Sequence, residues 1–384
     1  MPSNAPKKNS LLASDFLLYS PLELLNLDLS NGKSTGDEKN NIWKQLNNLL
    51  SWENITNKGY QADLCPLLHF IINKKRPENS LLNRATSITP HKKKTELIGA
   101  KLKYSYYSNL SRNMRLLHAL DNVLEVFNNE RIPVIVLKGA DLAQNAYPNI
   151  ALRAMSDIDI LVHKQDIQLA DTAIKRLGYE IKQPGKQCHH SFHTTYVKME
   201  DTLPVIIEIH WDLVNPLFFS EINLPFLWQR AEIITSAKHD YMTLCAEDSM
   251  LFLSWHGCRH GYSRLIWLYD ISLLLKNNCN LNNHNLVENS KNFKLHNSLE
   301  FSLKLIDSCL YTKSFLEEQN KSISRYSSNK LRNLFIKIQT SKLENKQIKT
   351  DVNIFVIYLL NSTHTIIKHT IMRTLSKISK MFKH

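Results

Sequence analysis

The chain of 384 residues holds only nine glycines, and neither G-x-G-x-x-G nor G-x-x-x-x-G-K-[ST] occurs in it. The two commonest phosphate-cradling loops are therefore excluded, and any nucleotide site must be built another way. Its six cysteines, Cys65, Cys188, Cys245, Cys258, Cys279 and Cys309, include no C-x-x-C pair. That excludes a dense disulfide framework and points to free thiols in a reducing, cytoplasmic setting. Long apolar runs are missing too. The longest, IFVIYLL at 354–360, is far shorter than the roughly 20 residues that a bilayer requires and leads into Asn361, Ser362 and Thr363. No transmembrane span is expected. The basic, then modestly apolar N-terminal stretch is interrupted by Asp15 before a secretion signal can form. Acids are outnumbered, 35 Asp and Glu against 48 Lys and Arg, and the resulting charge of +13 favours polyanionic company without choosing among nucleotides, nucleic acid and anionic membrane.

What is present divides into five stretches. Residues 1–40 are polar and turn-rich, which predicts a loosely ordered start. From 41 to 131 the apolar spacing is helical: Ile42, Leu46, Leu49 and Leu50 in NIWKQLNNLLSW, then CPLLHFIINK, then Leu116, Leu117, Leu120, Leu124 and Phe127 along 111–130. The pattern changes at 132. IPVIVLK reads as a β-branched strand, the stretch after Gly139 as a brief helix, DIDILV as a strand, and KQDIQLADTAIKRLG as an amphipathic helix stopped by Gly178. YEIK, SFHTTYVK and PVIIEIHWDL add three more strands, so 132–223 reads as a small α/β core with a mixed sheet. Residues 224–345 read as helical again, with one long apolar segment over 249–276. The last 33 residues, 352–384, contain no Asp or Glu, and Ile367, Ile371, Leu375, Ile378 and Phe382 recur at helical spacing among lysines and Arg373. The tail at 346–384 is thus a basic amphipathic helix, suited to a polyanion, a membrane surface or a partner groove.

The chemistry concentrates in MSDIDILV, 155–162. Residues i and i+2 of a strand share a face, so Asp157 and Asp159 emerge side by side among apolar neighbours. Such a pair serves as a general acid and base, as a divalent metal site, or as a solvated strand end. Glu208, at the end of another apolar run and two residues before His210, sharpens the choice. If its strand lies beside the first, three carboxylates converge, an arrangement that is costly without a cation and suited to Mg²⁺ with nucleotide phosphates. Lys138, just before Gly139, places a cation beside a helix N-terminus, itself an anion site. Arg153 is positioned either to contact phosphate or to pair with a carboxylate.

The blocks IPVIVLKGADLAQNAYPNIALRAMSDIDILV and VIIEIHWDL resemble the uncharacterised nucleotidyltransferase family of the polymerase β superfamily. Its pattern is a Gly with a small residue opening a short helix, then D-x-D on a strand, then a third acid on a later strand. Gly139 with Ala140, Asp157 with Asp159, and Glu208 occupy those positions. CPLLHFII and WHGCRHGYSRLIWLYDISLLL resemble the family's helical flanks, so the likeness spans roughly 40–276. It implies an α+β fold with a minimal nucleotidyltransferase core between helical regions. It also implies a Mg²⁺- or Mn²⁺-dependent transfer of a nucleoside monophosphate from a nucleoside triphosphate to an unidentified acceptor, in the setting of a biosynthetic gene cluster. Two positions depart from the pattern: active members of the superfamily usually carry Gly-Ser where this chain has Gly139-Ala140, and family members often have Gly where it has Ser156.

Within 249–276, read as one helix, His256, His260, Arg264, Trp267 and Asp270 fall on one face. This face either contacts nucleotide or forms a buried polar network joining the helix to the core. Cys258 points away from the His256–His260 edge, which argues against a zinc site there.

Overall fold

The computed structural model describes residues 63–73, 92–182, 192–214, 222–235, 238–262, 264–278 and 281–310. The expected helix at 42–50, the loose start over 1–40 and the basic tail lie outside these residues. The described elements in chain order are α1 (Cys65–Asn73), α2 (Lys92–Asn129), β1 (Val134–Leu137), α3 (Lys138–Asn145), β2 (Ile158–Val162) and α4 (Ile167–Arg176). They continue with β3 (Glu180–Ile181), β4 (His193–Glu200), β5 (Leu203–His210), α5 (Leu224–Arg230), β6 (Glu232–Ile234) and β7 (Tyr241–Thr243). Four helices complete the set: α6 (Ala246–Arg259), α7 (Ile266–Asn277), α8 (Asn283–Asn292) and α9 (His296–Leu310).

The strands form one mixed sheet of seven in the order β3-β4-β5-β2-β1-β7-β6. Its centre is apolar because the sequence is: all four residues of β1 and all five of β2 are buried. The β4–β5 hairpin turns at Asp201 and Thr202, whose φ values of 48° and 71° are the left-handed pair that a two-residue turn needs to match strand twist. The sheet divides two apolar clusters. On one face Ile158, Ile160, Ile207 and Ile209 pack with Leu120, Val123, Leu124 and Phe127 of α2 and Ala173 and Ile174 of α4. On the other, Ile135, Leu137 and Leu161 join α1 and the layer formed by α6 to α9.

Two sequence readings need correction. The sheet does not stop before 224, because β6 and β7 extend it to Thr243; three-residue strands are too short to show an alternation. The apolar segment 249–276 is two helices, not one. The chain turns at Gly261 and Tyr262, with φ of 59° and 45°, and the Tyr262 N–H closes the end of α6 onto the Gly257 carbonyl at 2.7 Å. Tyr262 then lies flat on Gly257, where a β-carbon would stand 2.4 Å from its ring. The α+β class itself holds: a mixed sheet with nine α-helices among the described residues.

Candidate active site

The site is built by strand register. β5 runs parallel to β2 with Glu208 opposite Asp159, and His210, two residues on, emerges from the same face. β4 pairs antiparallel with β5, setting Thr195 opposite Glu208 and His193 opposite His210. Ligand atoms of Asp159, Glu208 and His210 all lie within 4.8 Å of one another. Asp157 stands one residue before β2, with Ser156 donating to its carboxylate at 3.1 Å, and belongs to the cluster by charge but not to its tightest group.

Two nitrogen groups converge on one carboxylate oxygen. The Lys138 ammonium donates to Asp159 Oδ1 at 2.8 Å, and His210 Nε2 lies 2.9 Å from the same atom. His210 Nε2 also lies 3.5 Å from Glu208 Oε2. Burial opposes a charge on Asp159, but Lys138 and His210 outweigh it and hold the carboxyl well below the usual range. Burial likewise opposes a charge on Glu208, and the His210 hydrogen bond overcomes it. Asp157 behaves in the opposite way: burial, then the charges of Asp159 and Glu208, push its carboxyl up, and it makes no ion pair among the described residues. Two ready carboxylates beside one that resists ionisation make a site short of positive charge.

The remaining sequence-derived residues separate into two groups. Lys138 is no solvated lysine: its backbone is left-handed, with φ of 46°, its ammonium is tied to Asp159, and it stands 5.3 Å from the centre of the Phe252 ring. Gly139 is there for space, since a β-carbon would come within 2.9 Å of the Arg153 guanidinium. Ala140 is buried in the apolar cluster on the α2 side. Arg153 is also buried, and of its two readings the structure gives the carboxylate pair: Nη2 and Nε donate to Asp270 at 2.8 and 3.3 Å. Tyr147 donates to the same carboxylate at 2.7 Å. Burial opposes the Arg153 charge, and Asp270 more than compensates. The buried-network reading of this helix face therefore holds for Asp270, which locks α7 to the loop preceding β2.

Because α6 ends at Arg259, His256, His260, Arg264 and Asp270 do not share one helix face as expected. Arg264 turns outward to Asp63 at 3.0 Å. His256 and His260 remain together around Trp267, with ring centres 4.8 and 5.5 Å from the indole. His256 feels the site: burial, then the Lys138 charge, drives its basicity well down.

Sequence reasoning left out His210, whose signal was its place two residues beyond Glu208 on the same strand face. It also left out Arg259, at the exposed end of α6. The guanidinium of Arg259 stands 5.5 Å over Phe192, a ring that packs on His193 and His210. It forms no ion pair among the described residues, and the nearby charge it feels is Glu208.

The site thus gathers carboxylates opposite each other on parallel strands, with a lysine opening the helix beside them, a donor set that could hold a metal ion. Comparison with curated proteins and with solved structures returned no match. Among the described residues, no helix is long and apolar enough to cross a membrane. A model of the family described as uncharacterised nucleotidyltransferase matches residues 79–311, more than half of the chain, and the protein belongs to that family, as an enzyme of the nucleotidyltransferase class.

Proposed function

We propose that the protein moves a nucleoside monophosphate from a nucleoside triphosphate onto a hydroxyl or phosphate acceptor, with Asp157, Asp159 and Glu208 as catalytic acids and Mg²⁺ or Mn²⁺ as cofactor. The observation that carries this reading is the register that sets Glu208 opposite Asp159. The donor set fits a divalent cation: ligand atoms of Asp159, Glu208 and His210 lie within 4.8 Å of one another, and Asp157, whose ionisation burial and the charges of Asp159 and Glu208 oppose, stands beside them. Such a cation, when bound, offsets the charge that builds on the phosphate oxygens and the leaving pyrophosphate.

The chain's own groups supply the rest. Asp159 is already ionised, held so by Lys138 and His210, and needs no proton loss before it can bind. Glu208, also ionised, is placed to take the proton of an acceptor hydroxyl. Lys138, at the first turn of α3 and paired with Asp159, and Arg259, at the last turn of α6 and within reach of the Glu208 charge, serve as cations for the phosphates. The buried position of Asp159 and His210 strengthens the interactions these two groups make. The buried free thiols of Cys65, Cys245 and Cys258 support a cytoplasmic setting, and the basic tail a contact with a polyanion, membrane surface or partner.

A second reading, a nucleotide-sensing or partner-binding module of weak activity, is favoured by one observation. Lys138 and His210 already satisfy Asp159 without any added ion. Incubation with α-labelled nucleoside triphosphates and fractionated acceptors, with pyrophosphate release followed in parallel, decides between them. Transfer is expected, and Glu208→Gln should keep most triphosphate binding while turnover falls at least about a hundredfold. Tight triphosphate binding with no labelled product from any acceptor establishes the sensing reading.

A further inference from the structure

The family pattern supplies only oxygen donors, whereas the structure offers a nitrogen. His210 is 2% exposed, and its ring enters the cluster from the same strand face as Glu208. Its Nε2 lies 2.9 Å from Asp159 and 3.5 Å from Glu208, spacings at which it can share one ion with either carboxylate at ordinary bond lengths of about 2.0–2.2 Å, and ligand atoms of all three lie within 4.8 Å of one another. Mg²⁺ takes oxygen ligands almost alone and keeps much of its water, while imidazole raises affinity for the first-row transition ions. We propose that Asp159, Glu208 and His210 form a mixed oxygen and nitrogen site that selects Mn²⁺, or a later first-row divalent ion, over Mg²⁺. This rests on the transfer reading only for its use of a divalent ion.

The protons balance simply. In the neutral ring one nitrogen carries the proton; to bind an ion, Nε2 must present its lone pair, so the proton moves to Nδ1. Nδ1 is buried and has no hydrogen-bond partner among the described residues, so the tautomer change breaks no contact there but leaves a buried N–H unpaired, a cost that the bond from Nε2 to the ion has to outweigh. The hydrogen bond from Nε2 to Asp159 is given up and replaced by the shared ion. Lys138 must also yield Asp159 Oδ1, and the phosphates of the substrate are a ready destination for its ammonium.

The test uses the full-length protein with Mn²⁺ and Mg²⁺ as probes. Calorimetry should show Mn²⁺ binding at least about ten times more tightly than Mg²⁺, with the ratio shrinking severalfold in His210→Gln. Pulsed electron paramagnetic resonance of bound Mn²⁺ should show coupling to a directly bonded nitrogen, and that coupling should change to the ¹⁵N pattern when histidine is ¹⁵N-labelled. The labelled wild type keeps the test decisive even where His210→Gln and His210→Asn fail to fold. Nitrogen coupling that survives in folded His210→Gln but vanishes in His193→Gln assigns the ligand to His193 and overturns the proposal. Mn²⁺ binding without nitrogen coupling overturns it too, leaving the transfer reading untouched. Absence of any Mn²⁺ or Mg²⁺ binding, with or without triphosphate, removes both the proposal and the metal dependence of transfer.

Discussion

The two faces of the β2–β5 pair are made by alternate residues of the same short strands and differ in almost every property. Ile158, Ile160, Ile207 and Ile209 point one way into a uniform aliphatic cluster; Asp159, Glu208 and His210 point the other way into a network. Burial of the first set is additive, non-directional and tolerant of exchange between similar shapes. Burial of the second set is conditional, because each charge is tolerable only while its neighbours supply the opposite sign. One backbone therefore carries a face held by packing and a face held by balanced charge.

The largest effect expected on stability comes from breaking the polar layer where it is purely structural. Asp270→Asn strands the Arg153 guanidinium in the core and should cost roughly 3–5 kcal/mol in urea unfolding. A loss below about 1 kcal/mol would show that water reaches Arg153. The sharpest contrast pairs two variants from opposite faces. Ile207→Ala should lose roughly 2–4 kcal/mol while each folded molecule keeps its turnover. Asp157→Asn should do the reverse: at least about a hundredfold loss of transfer, with unfolding free energy unchanged or raised by under about 1 kcal/mol, since an ionised Asp157 is opposed by burial and by two neighbouring carboxylates. If both variants lose stability and activity together, the two faces are not separable.

A smaller, pH-dependent effect sharpens the comparison at Asp141 in α3. Burial lifts its carboxyl to about 6, against the hydrogen bond from Asn145 at 2.7 Å. The folded value lies above the unfolded one, so the favourable contribution is complete below about pH 4 and is lost as pH rises through about 6. Asp141→Asn removes that dependence. The stability of the variant relative to wild type should rise between pH 4 and 7.5 by about 2–3 kcal/mol, measured by urea unfolding at each pH. A difference independent of pH would mean that Asp141 is solvated.

The sequence made the composition of each face readable but not the meeting of distant segments. Alternation in IDILV and VIIEIH placed Asp159 and Glu208 on strand faces, yet only the parallel pairing of β2 with β5, 49 residues apart in the chain, brings them together. His210 was readable by the same i+2 rule that united Asp157 with Asp159, and its placement beside Glu208 follows from it. Arg153 could not be resolved locally, because its partner Asp270 lies 117 residues on. The break between α6 and α7 was hidden as well: an apolar sequence runs straight through it, and what stops the helix is the seat that Gly257 gives to the Tyr262 ring. β6 and β7 left no periodic trace in three residues each.

The loop before β2 is fastened in a way that bears on how such a protein can change. Asn109 and Asn113 of α2 reach it through side-chain amides, donating at 2.6 Å to the Ala151 carbonyl, at 2.5 Å to Ile150 and at 2.7 Å to Arg153. All three acceptors are main-chain oxygens, which every residue type possesses. The course of the chain toward Asp157 is thus specified by two asparagines in a neighbouring helix more than by the loop's own side chains. An exposed position along it such as Pro148 can be exchanged with little movement of the carboxylates, whereas Ser156, which donates to Asp157, is tied to them. Change on the loop's exposed side is thus separated from the contacts that set its path.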